Sequence, residues 1–322
     1  METLLIQRNL ANKRTTVSDQ VILQALGVLV TENFQFLVLI LLDFNAVKSV
    51  IMFSKMPGFS LLTLNTFGVP FYISGRRIAR LVNELNRLTP TVICLQEIQQ
   101  NAYIPILQHG LGEYPHLAFE RKGLAPKGGL ITASLGLPDH YKFFPFPNRG
   151  RWLGIGFADW ALYKGVLVVE LEVEGRRVTV LNTHLHANYT GSWLPENGFA
   201  RIQHDQVQFL VELVHAQPED SLVVVCGDFN FPRKTFLYEE LIVQGGLIDP
   251  LADDLRPTYR PFPLVPSRWA ISLDFVLYRA PHWQDLKINA DIIPVENSLA
   301  RLPMQRFLTD HCALTLNAKW RN

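Results

Sequence analysis

The chain has 322 residues, with 30 basic against 29 acidic side chains, a formal net charge of +1 and three cysteines. This length suffices for one large α/β domain or two smaller ones. The balanced charge argues against extensive duplex DNA binding, although it is compatible with a small basic groove. The odd number of cysteines, each within or beside an apolar run, argues against a disulfide framework.

The N-terminal segment, residues 1–56, is apolar and its place in the protein is open. Its two strongly apolar runs, 21–30 and 36–42, are each shorter than a bilayer span, and Glu32 lies between them. We expect a leader outside the catalytic domain; a signal anchor, an interfacial helix or an upstream choice of start site are the alternatives. The localisation therefore stays open between cytoplasmic and membrane-associated or exported through this segment.

Strands and helices alternate regularly after this segment. The run 60–64 predicts a strand that leads into Asn65, and the apolar spacing over residues 74–88 predicts a helix. The run 91–95 predicts a second strand, which is followed by Glu97. Polar side chains at strand ends are typical of the sites of α/β enzymes.

The next part of the chain gives weaker signals. Residues 98–125 predict a helix and a loop, and a strand is expected at 130–134. Before this strand, Lys127-Gly128-Gly129 could present backbone N–H groups to an anion, but such a tripeptide is weak evidence. Residues 141–164 are predicted to be irregular and aromatic, either a flap on the core or a surface for an apolar ligand, and we expect most of these rings to lie in the core.

A β-hairpin is predicted at residues 165–181, with its turn at Glu174-Gly175. The second strand continues into the sequence NTHLH, where alternation places Asn182, His184 and His186 on one face. A single His in a strand is usually a structural residue. Two at this spacing, with an Asn in register, favour a functional site.

A buried strand is predicted at residues 222–226 and is followed by Asp228 and Asn230. These two side chains project to one face if the backbone stays extended. Buried polar groups need partners, but this segment alone is equally compatible with a functional site and with an ordinary Asx turn. The recurrence of polar residues at the other strand ends is what favours a site. Pro232 is expected to begin a helix that Gly245-Gly246 ends.

The last part of the chain contributes three more polar residues. A loop at 252–270, rich in Pro and Arg, offers aromatic side chains for substrate contacts, and a strand at 271–278 carries Asp274 at its centre. A charged residue inside an apolar strand is rarely buried unless it is paired. Asp310 and His311 then precede the final strand.

The polar residues at these strand ends form one candidate site. They are Asn65, Glu97, Asn182, His184, Asp228, Asn230, Asp274, Asp310 and His311. Carboxylates and amides without paired cysteines suit a hard cation, Mg²⁺ or Mn²⁺, better than a structural zinc. Histidines beside such a cation suit proton transfer near neutral pH, so the set is suited to attack by water on a phosphate ester.

Six motifs, LNTFG, LQE, NTHLH, GDFN, LDFVLY and TDH, occur in this order between residues 58 and 320. In this order they resemble the Mg²⁺-dependent endonuclease/exonuclease/phosphatase superfamily, and NTHLHANY resembles its neutral sphingomyelinase-like branch. Thr309 stands where the family often has Ser, which keeps a hydroxyl group. The resemblance implies a catalytic domain over residues 57–322 that folds as a four-layer α/β/β/α sandwich, two mixed β-sheets flanked by helices.

The resemblance also implies a role for each residue at the site. Glu97 is expected to be the principal metal ligand, with Asn65 beside it and Asp310 completing the shell. Asp228 is expected to orient or deprotonate the attacking water, and Asn230 to hold the phosphate or the water.

The two histidines have separate expected roles by the same resemblance. Asp274 is expected to pair with His311, to raise its pKa and to fix its tautomer. His311 would then stabilise the pentacoordinate phosphorane or act as the acid–base group. His184 is expected to bind a phosphate oxygen, with support from Asn182.

The expected function is Mg²⁺-dependent hydrolysis of a phosphodiester by in-line attack of an activated water. A sphingomyelin-type membrane lipid is the leading substrate, because NTHLHANY resembles the sphingomyelinase-like branch and because the near-neutral charge and the aromatic loops suit a lipid interface. A metal-dependent nuclease or a soluble phosphomonoesterase of the same superfamily, and a non-catalytic binding protein, are the alternatives. We expect the protein to be a monomer.

Overall fold

The computed structural model describes residues 58–70, 74–150, 154–260, 270–296 and 307–320. The leader predicted at residues 1–56 lies outside these ranges, as does the part of the predicted substrate loop at 261–269. None of the helices in the described ranges combines the length and the apolar character that crossing a bilayer requires.

The described residues form thirteen β-strands and five α-helices. The strands are β1 Gly58–Asn65, β2 Val92–Gln96, β3 His116–Ala118, β4 Arg121–Lys122, β5 Ala125–Pro126, β6 Ile131–Ser134, β7 His140–Pro145, β8 Gly165–Val173, β9 Arg176–His184, β10 Leu222–Asp228, β11 Asp274–Arg279, β12 Lys287–Ile293 and β13 Ala313–Lys319. The helices are α1 Ser74–Leu85, α2 Ile104–Gly110, α3 Phe157–Ala161, α4 Gly198–His215 and α5 Phe236–Gly245.

Eleven of the thirteen strands form two large mixed sheets, and β4 pairs with β5 in a separate two-stranded sheet. The six-stranded sheet has the order β12-β13-β1-β2-β6-β3, and the five-stranded sheet has the order β11-β10-β9-β8-β7. In each sheet one pair is parallel, β1 with β2 and β9 with β10, while the other pairs are antiparallel. Since parallel strands end at the same edge, the polar residues that follow these two pairs are brought together in each sheet.

Alternation along the strands builds three apolar layers. Inward side chains, among them Cys94 in β2 and Cys226 in β10, form the core between the sheets, so these free cysteines act as small hydrophobic residues. The opposite faces carry residues such as Leu62, which packs in the cluster with α1 and α2, and Val225, which packs in the cluster with α4 and α5. The predicted four-layer α/β/β/α sandwich is therefore confirmed.

The predicted position of Asp274 at the centre of a strand is wrong. Asp274 is the first residue of β11, next to the edge where the other strands end. The N–H groups of Leu273 and Asp274 both donate to Thr258 Oγ1, at 2.9 and 3.0 Å, so these amides leave the strand ladder. These contacts with Thr258 mark the N-terminal end of β11.

Two further boundaries differ from the prediction. His140–Pro145 forms the edge strand β7 in a segment predicted to be irregular. Only Phe143 of this strand is buried, so the strand lacks an apolar pattern, and it is held by main-chain pairing with β8. Helix α5 begins after Thr235, whose Oγ1 caps it, rather than at Pro232. The predicted end at Gly245-Gly246 is confirmed, since Gly246 adopts the left-handed conformation of a C-terminal cap.

Gly227 lets β9 and β10 come close together directly before their polar ends. Its φ is 139°, and a Cβ atom at this position would lie 1.9 Å from the main-chain oxygen of Thr183. A side chain would therefore clash with the neighbouring strand. The glycine sets the distance between the strand ends that carry His184 and Asp228.

We expect Gly227→Ala to lower the free energy of unfolding by about 1–3 kcal/mol, the usual cost of forcing an extra methylene-sized group into a packed interior. Gly136→Ala is the matched control, because a Cβ atom there would meet nothing within 4 Å and its φ is not in the left-handed region. Urea denaturation of both variants measures the difference. Equal losses of stability in the two variants would contradict this role of Gly227.

Candidate active site

Strand register brings three predicted site residues into one row across the second sheet. Asp228 at the end of β10 pairs with His184 of β9 on one side and with Asp274 of β11 on the other. All three side chains are buried. The distance from His184 Nε2 to Asp228 Oδ2 is 3.6 Å. Asp228 is thus the centre of the row.

Asn65 connects this row to the first sheet. Its Nδ2 donates to Asp228 Oδ2 at 2.9 Å and to Glu97 Oε1 at 3.0 Å. Its Oδ1 accepts a hydrogen bond from the Phe67 N–H at 2.9 Å, which fixes the orientation of the amide. In this arrangement Asn65 holds two carboxylates together by donating to both, and its expected role as a metal ligand stays a prediction.

The main chain at Glu97 is unusual and tightly enclosed. Glu97 has a φ of 58°, which an L residue with a side chain seldom adopts. A Cβ atom on Gly68 would lie 2.1 Å from the Glu97 oxygen, and one on Gly129 would lie 3.3 Å from its Cα. Two glycines therefore allow the loops to close around the Glu97 backbone, and strained backbone of this kind is often found at functional sites.

The Lys127-Gly128-Gly129 tripeptide serves this close approach. Lys127 Nζ forms an ion pair with Glu120 Oε2 at 2.6 Å, and the Gly129 oxygen accepts from the Ile98 N–H at 2.9 Å. The tripeptide supports the loop beside Glu97, and the Lys127 charge is already paired.

His311 is held by a chain of buried polar groups. Its Nδ1 lies 2.9 and 3.1 Å from the two carboxylate oxygens of Asp274. Asp274 Oδ2 in turn accepts a hydrogen bond from Thr258 Oγ1 at 2.6 Å. His311 Nε2 lies 3.8 Å from Asp228 Oδ2 and 3.9 Å from Asp310 Oδ1, beyond hydrogen-bonding distance, so it stays available to another acceptor.

Burial and charge shift the pKa values of these groups in opposite directions. Burial by itself lowers the pKa of His311, but the charge and hydrogen bond of Asp274, with Asp228 and Asp310, raise it well above its usual value. Burial raises the pKa of Asp228 to about 7; the His311 charge opposes this rise and the Asp274 charge adds to it. These shifts favour the protonated form of His311 and place Asp228 where it can exchange a proton near neutral pH.

Glu97 and Asp310 are further carboxylates that burial makes costly to ionise. Burial raises the pKa of Glu97 and the pKa of Asp310, and the charge of Asp310 raises that of Glu97 further. Thr309 Oγ1 donates to the Asn65 oxygen at 2.7 Å, which ties the loop carrying Asp310 to the end of β1. The hydroxyl that the TDH motif keeps thus has a structural contact.

Arg77 in the first turn of α1 joins the loops on this side of the site. Its guanidinium donates to the oxygens of Thr66 at 2.6 Å and Leu308 at 2.5 Å, and also to that of Phe67. These oxygens belong to the segments that carry Asn65 and Asp310. Sequence reasoning missed Arg77, because a basic residue in a helix gives no local sign that it binds two distant loops.

A buried lysine lies beside His184. Lys164 Nζ is 2.5 Å from Asp159 Oδ1, 2.7 Å from the Leu185 oxygen and 3.0 Å from His184 Nε2. Burial, together with the positive charge of Lys164, lowers the pKa of His184 well below its usual value. This shift favours the neutral form of His184, beside the ion pair of Lys164 with Asp159.

Sequence reasoning also missed Lys164, Asp159 and Thr258. Asp159 and Lys164 lie in the segment predicted to be irregular and aromatic, where two opposite charges among many rings were the available signal. Burial would raise the pKa of Asp159, but the Lys164 charge lowers it to about 2. Thr258 is a neutral residue in a loop and gave no signal at all.

Asn230 and His186 lie next to the central row. Asn230 has a φ of 55°; its N–H donates to Asp228 Oδ1 at 3.0 Å and its Nδ2 to the Leu185 oxygen at 3.1 Å. The main-chain oxygen of Asn230 accepts a hydrogen bond from Gln203 Nε2 at 2.9 Å. His186 is buried on the outer side of the row, with Nδ1 2.8 Å from the Ala187 oxygen.

Asn182 lies deeper, between the two sheets. Its Oδ1 accepts from Gln96 Nε2 at 2.7 Å, and its Nδ2 donates to the Ile131 oxygen at 3.1 Å. These contacts join β9 to β2 and β6 behind the strand ends. The expected support of His184 by Asn182 is thus through the backbone of β9, and its catalytic role stays a prediction.

The donor set fits a hard divalent cation. Ligand atoms of Glu97, His184 and Asp228 lie within 4.8 Å of one another, and the same holds for Asp228, Asp274 and His311. In the second group His311 and Asp274 are paired with each other, so Asp228 is the member that could ligate a metal ion. A cation beside the partly buried Glu97 and the buried Asp228 would offset the cost of ionising these carboxylates, and carboxylate oxygens are the ligands that Mg²⁺ and Mn²⁺ prefer.

Comparison with known proteins places the chain among phosphoesterase relatives. A putative neutral sphingomyelinase of Drosophila melanogaster is 27% identical over 199 residues, which is 61% of this chain and 44% of that protein. The chain spans about half the length of the curated relatives it matches.

Solved structures share the fold. Sphingomyelinase C from Streptomyces griseocarneus has a TM-score of 0.61 at 21% identity, covering 82% of this chain and 100% of that one. A variant of the beta toxin from Staphylococcus aureus, solved with bound magnesium ions, has a TM-score of 0.62 at 16% identity, covering 82% of this chain and 100% of that one.

A family-wide sequence pattern spans the whole candidate site. The pattern described as Endonuclease/Exonuclease/phosphatase family matches residues 62–311, more than half of the chain and all of its predicted site residues. The two mixed sheets and the row of polar strand ends agree with that match. This chain belongs to the Endonuclease/Exonuclease/phosphatase family.

Proposed function

We propose that this protein is a Mg²⁺-dependent phosphodiesterase that cleaves a phosphosphingolipid by in-line attack of water. One observation carries the chemistry: His311, paired with Asp274, and His184, beside Lys164, lie with their Nε2 atoms 3.8 and 3.6 Å from Oδ2 of the buried Asp228. Acid, base and positive charge are thus present in one water-poor site, which suits phosphoryl transfer.

The attacking water is assigned to Asp228. Its raised pKa lets it take a proton near neutral pH, and Asn65 holds the carboxylate in place by donating to Oδ2. The water oxygen forms the new bond to phosphorus and its proton passes to Asp228, while the bond from phosphorus to the leaving oxygen breaks. The proton then passes from Asp228, by way of water, to the leaving oxygen, which departs as the alcohol and restores the carboxylate. Asn230, bound to Asp228 Oδ1 through its N–H, holds the phosphate or the water beside the base.

The developing negative charge on the phosphoryl oxygens is assigned to the cationic side chains. His311 Nε2 donates to one oxygen, and its ion pair with Asp274 keeps the proton on the ring. Lys164 and His184 stand on the other side of Asp228. A divalent cation, when bound at Glu97 with Asn65 and Asp310 nearby, supplies further charge stabilisation to these oxygens.

The substrate class comes from the relatives and is a proposal for this chain. The relatives are described as acting on sphingomyelin or on inositol phosphosphingolipids. These lipids share a phosphodiester between a ceramide and a polar headgroup alcohol. We assign the same bond to this protein, with the headgroup left to the assay.

The first test is release of the phosphorylated headgroup from sphingomyelin and from an inositol phosphosphingolipid in mixed micelles. We expect release by the wild type and a fall on the order of 10²–10⁴ in kcat for Asp228→Asn, the scale of a lost general base. Glu170→Gln, in β8 and outside the site, is the control. Cleavage of plasmid DNA but of neither lipid would contradict the substrate class while keeping the chemistry.

Mg²⁺ should stabilise the folded protein as well as activate it. A ligand at 100 times its dissociation constant adds about 2.7 kcal/mol to the free energy of unfolding, so Tm should rise on addition of Mg²⁺. Glu97→Gln keeps the shape of the side chain and removes its charge, so most of this rise should be lost. An unchanged Tm of the wild type at high Mg²⁺ and Mn²⁺ would favour a non-catalytic protein.

Asp274→Asn should move the alkaline limb of the pH profile of kcat/KM to lower pH. The Asp274 charge is what overcomes burial and raises the pKa of His311, so activity that needs the His311 proton is lost as pH rises through that pKa. Asp291→Asn, an exposed carboxylate that binds Arg256, is the control. An unchanged alkaline limb in Asp274→Asn would argue against His311 as the protonated group.

A further inference from the structure

Exposed apolar side chains are concentrated in two segments beside the site. Of the large hydrophobic residues that are exposed in the described ranges, five lie in segments 154–160 and 189–194. They are Ile155, Phe157, Trp160, Tyr189 and Leu194, with exposed fractions of 66, 52, 36, 42 and 66%. We call these five residues the apolar rim. A concentration of this kind marks an interaction surface in a soluble domain.

The two segments face a common groove of about 300 Å³. Its lining includes Ile155 and Gly156 from the first segment and Phe199 and Ile202 from α4. The Phe199 ring lies 5.5 Å from the Tyr189 ring. Ile155 and Thr190 of the two segments therefore line one groove, and the Tyr189 ring packs against the Phe199 ring in its wall.

The rim is anchored to the catalytic residues through α3. This short helix turns Phe157 and Trp160 outward, with their rings 6.1 Å apart, and Asp159 inward. Asp159 binds Lys164, which contacts His184, and its Oδ2 accepts a hydrogen bond from the Tyr189 hydroxyl at 3.0 Å. A ligand that binds to the rim therefore lies close to His184 and the proposed phosphate site.

Cationic side chains stand next to the rim. The Arg149 guanidinium lies 5.7 Å from the Trp160 ring and 4.2 Å from the Tyr163 ring, and Lys122 Nζ lies 3.2 Å from the Tyr163 ring. Trp and Tyr beside Arg and Lys match the boundary between acyl chains and phosphate headgroups.

We propose that the apolar rim is a docking surface for a lipid bilayer. The choice of a bilayer rests on the proposed function, because a membrane lipid must reach the site from its own surface. Ile155, Phe157 and Leu194 enter the acyl boundary, Trp160 and Tyr189 lie at the headgroup level, and Arg149 meets lipid phosphates. Docking then presents the headgroup phosphodiester to His184 and Asp228.

The test is binding of the full chain to vesicles of phosphatidylcholine and sphingomyelin, with and without phosphatidylserine, measured by co-sedimentation in EDTA so that binding is separated from hydrolysis. We expect the double variant Phe157→Ser with Trp160→Ser to bind vesicles at least about tenfold more weakly than the wild type, since two large apolar side chains no longer enter the bilayer. Hydrolysis of a water-soluble short-chain phosphodiester should be unchanged.

Leu137→Ser is the matched control, because Leu137 is 72% exposed and precedes β7 at the end far from the site. It should bind vesicles like the wild type. Equal binding by the double variant, equal losses in both variants, or a dimer in sedimentation that the double variant disrupts would overturn the proposal.

Failure of the docking proposal and failure of the proposed function give different results. Vesicle binding that depends on the rim, with no hydrolysis of any sphingolipid in Mg²⁺, would keep the docking surface and reject the proposed function. Hydrolysis in mixed micelles with rim-independent vesicle binding would do the reverse.

Discussion

The site depends on one constraint, the burial of several carboxylates at an edge where two sheets end. Strand register places Asp228 between His184 and Asp274, and Asn65 joins it to Glu97 of the other sheet. Buried carboxylates repel one another and lose hydration, so each needs a donor or a cation. The remaining features of the site can be understood as answers to that need.

The two histidines meet this need in opposite ways. The Asp274 charge raises the pKa of His311, whereas burial and the Lys164 charge lower the pKa of His184. Groups of one type whose surroundings push their pKa values apart are typical of divided acid and base roles. The fold achieves this by placing the Asp274 carboxylate beside His311 and the Lys164 side chain beside His184.

Backbone geometry imposes a second requirement, since Glu97 and Asn230 both have positive φ values. Gly68 and Gly129 enclose Glu97, and Gln203 binds the Asn230 oxygen, so surrounding contacts hold these conformations in place. The loops that carry the site are thereby less free to move than their irregular sequence implies. Outside them, α3 links the buried ion pair of Asp159 to an apolar surface that solvent reaches.

The sequence by itself determined the alternation of strands and helices and the polar residues at the strand ends, because periodicity and strand ends are local properties. It also brought His184, Asp228 and His311 into one candidate site through their motifs. The tertiary structure alone decided that Lys164, Thr258 and Arg77 support that site, since their contacts join segments far apart in the chain. It likewise decided that Asn182 faces Gln96 between the sheets, because alternation fixes a face of a strand but not the depth at which a partner lies.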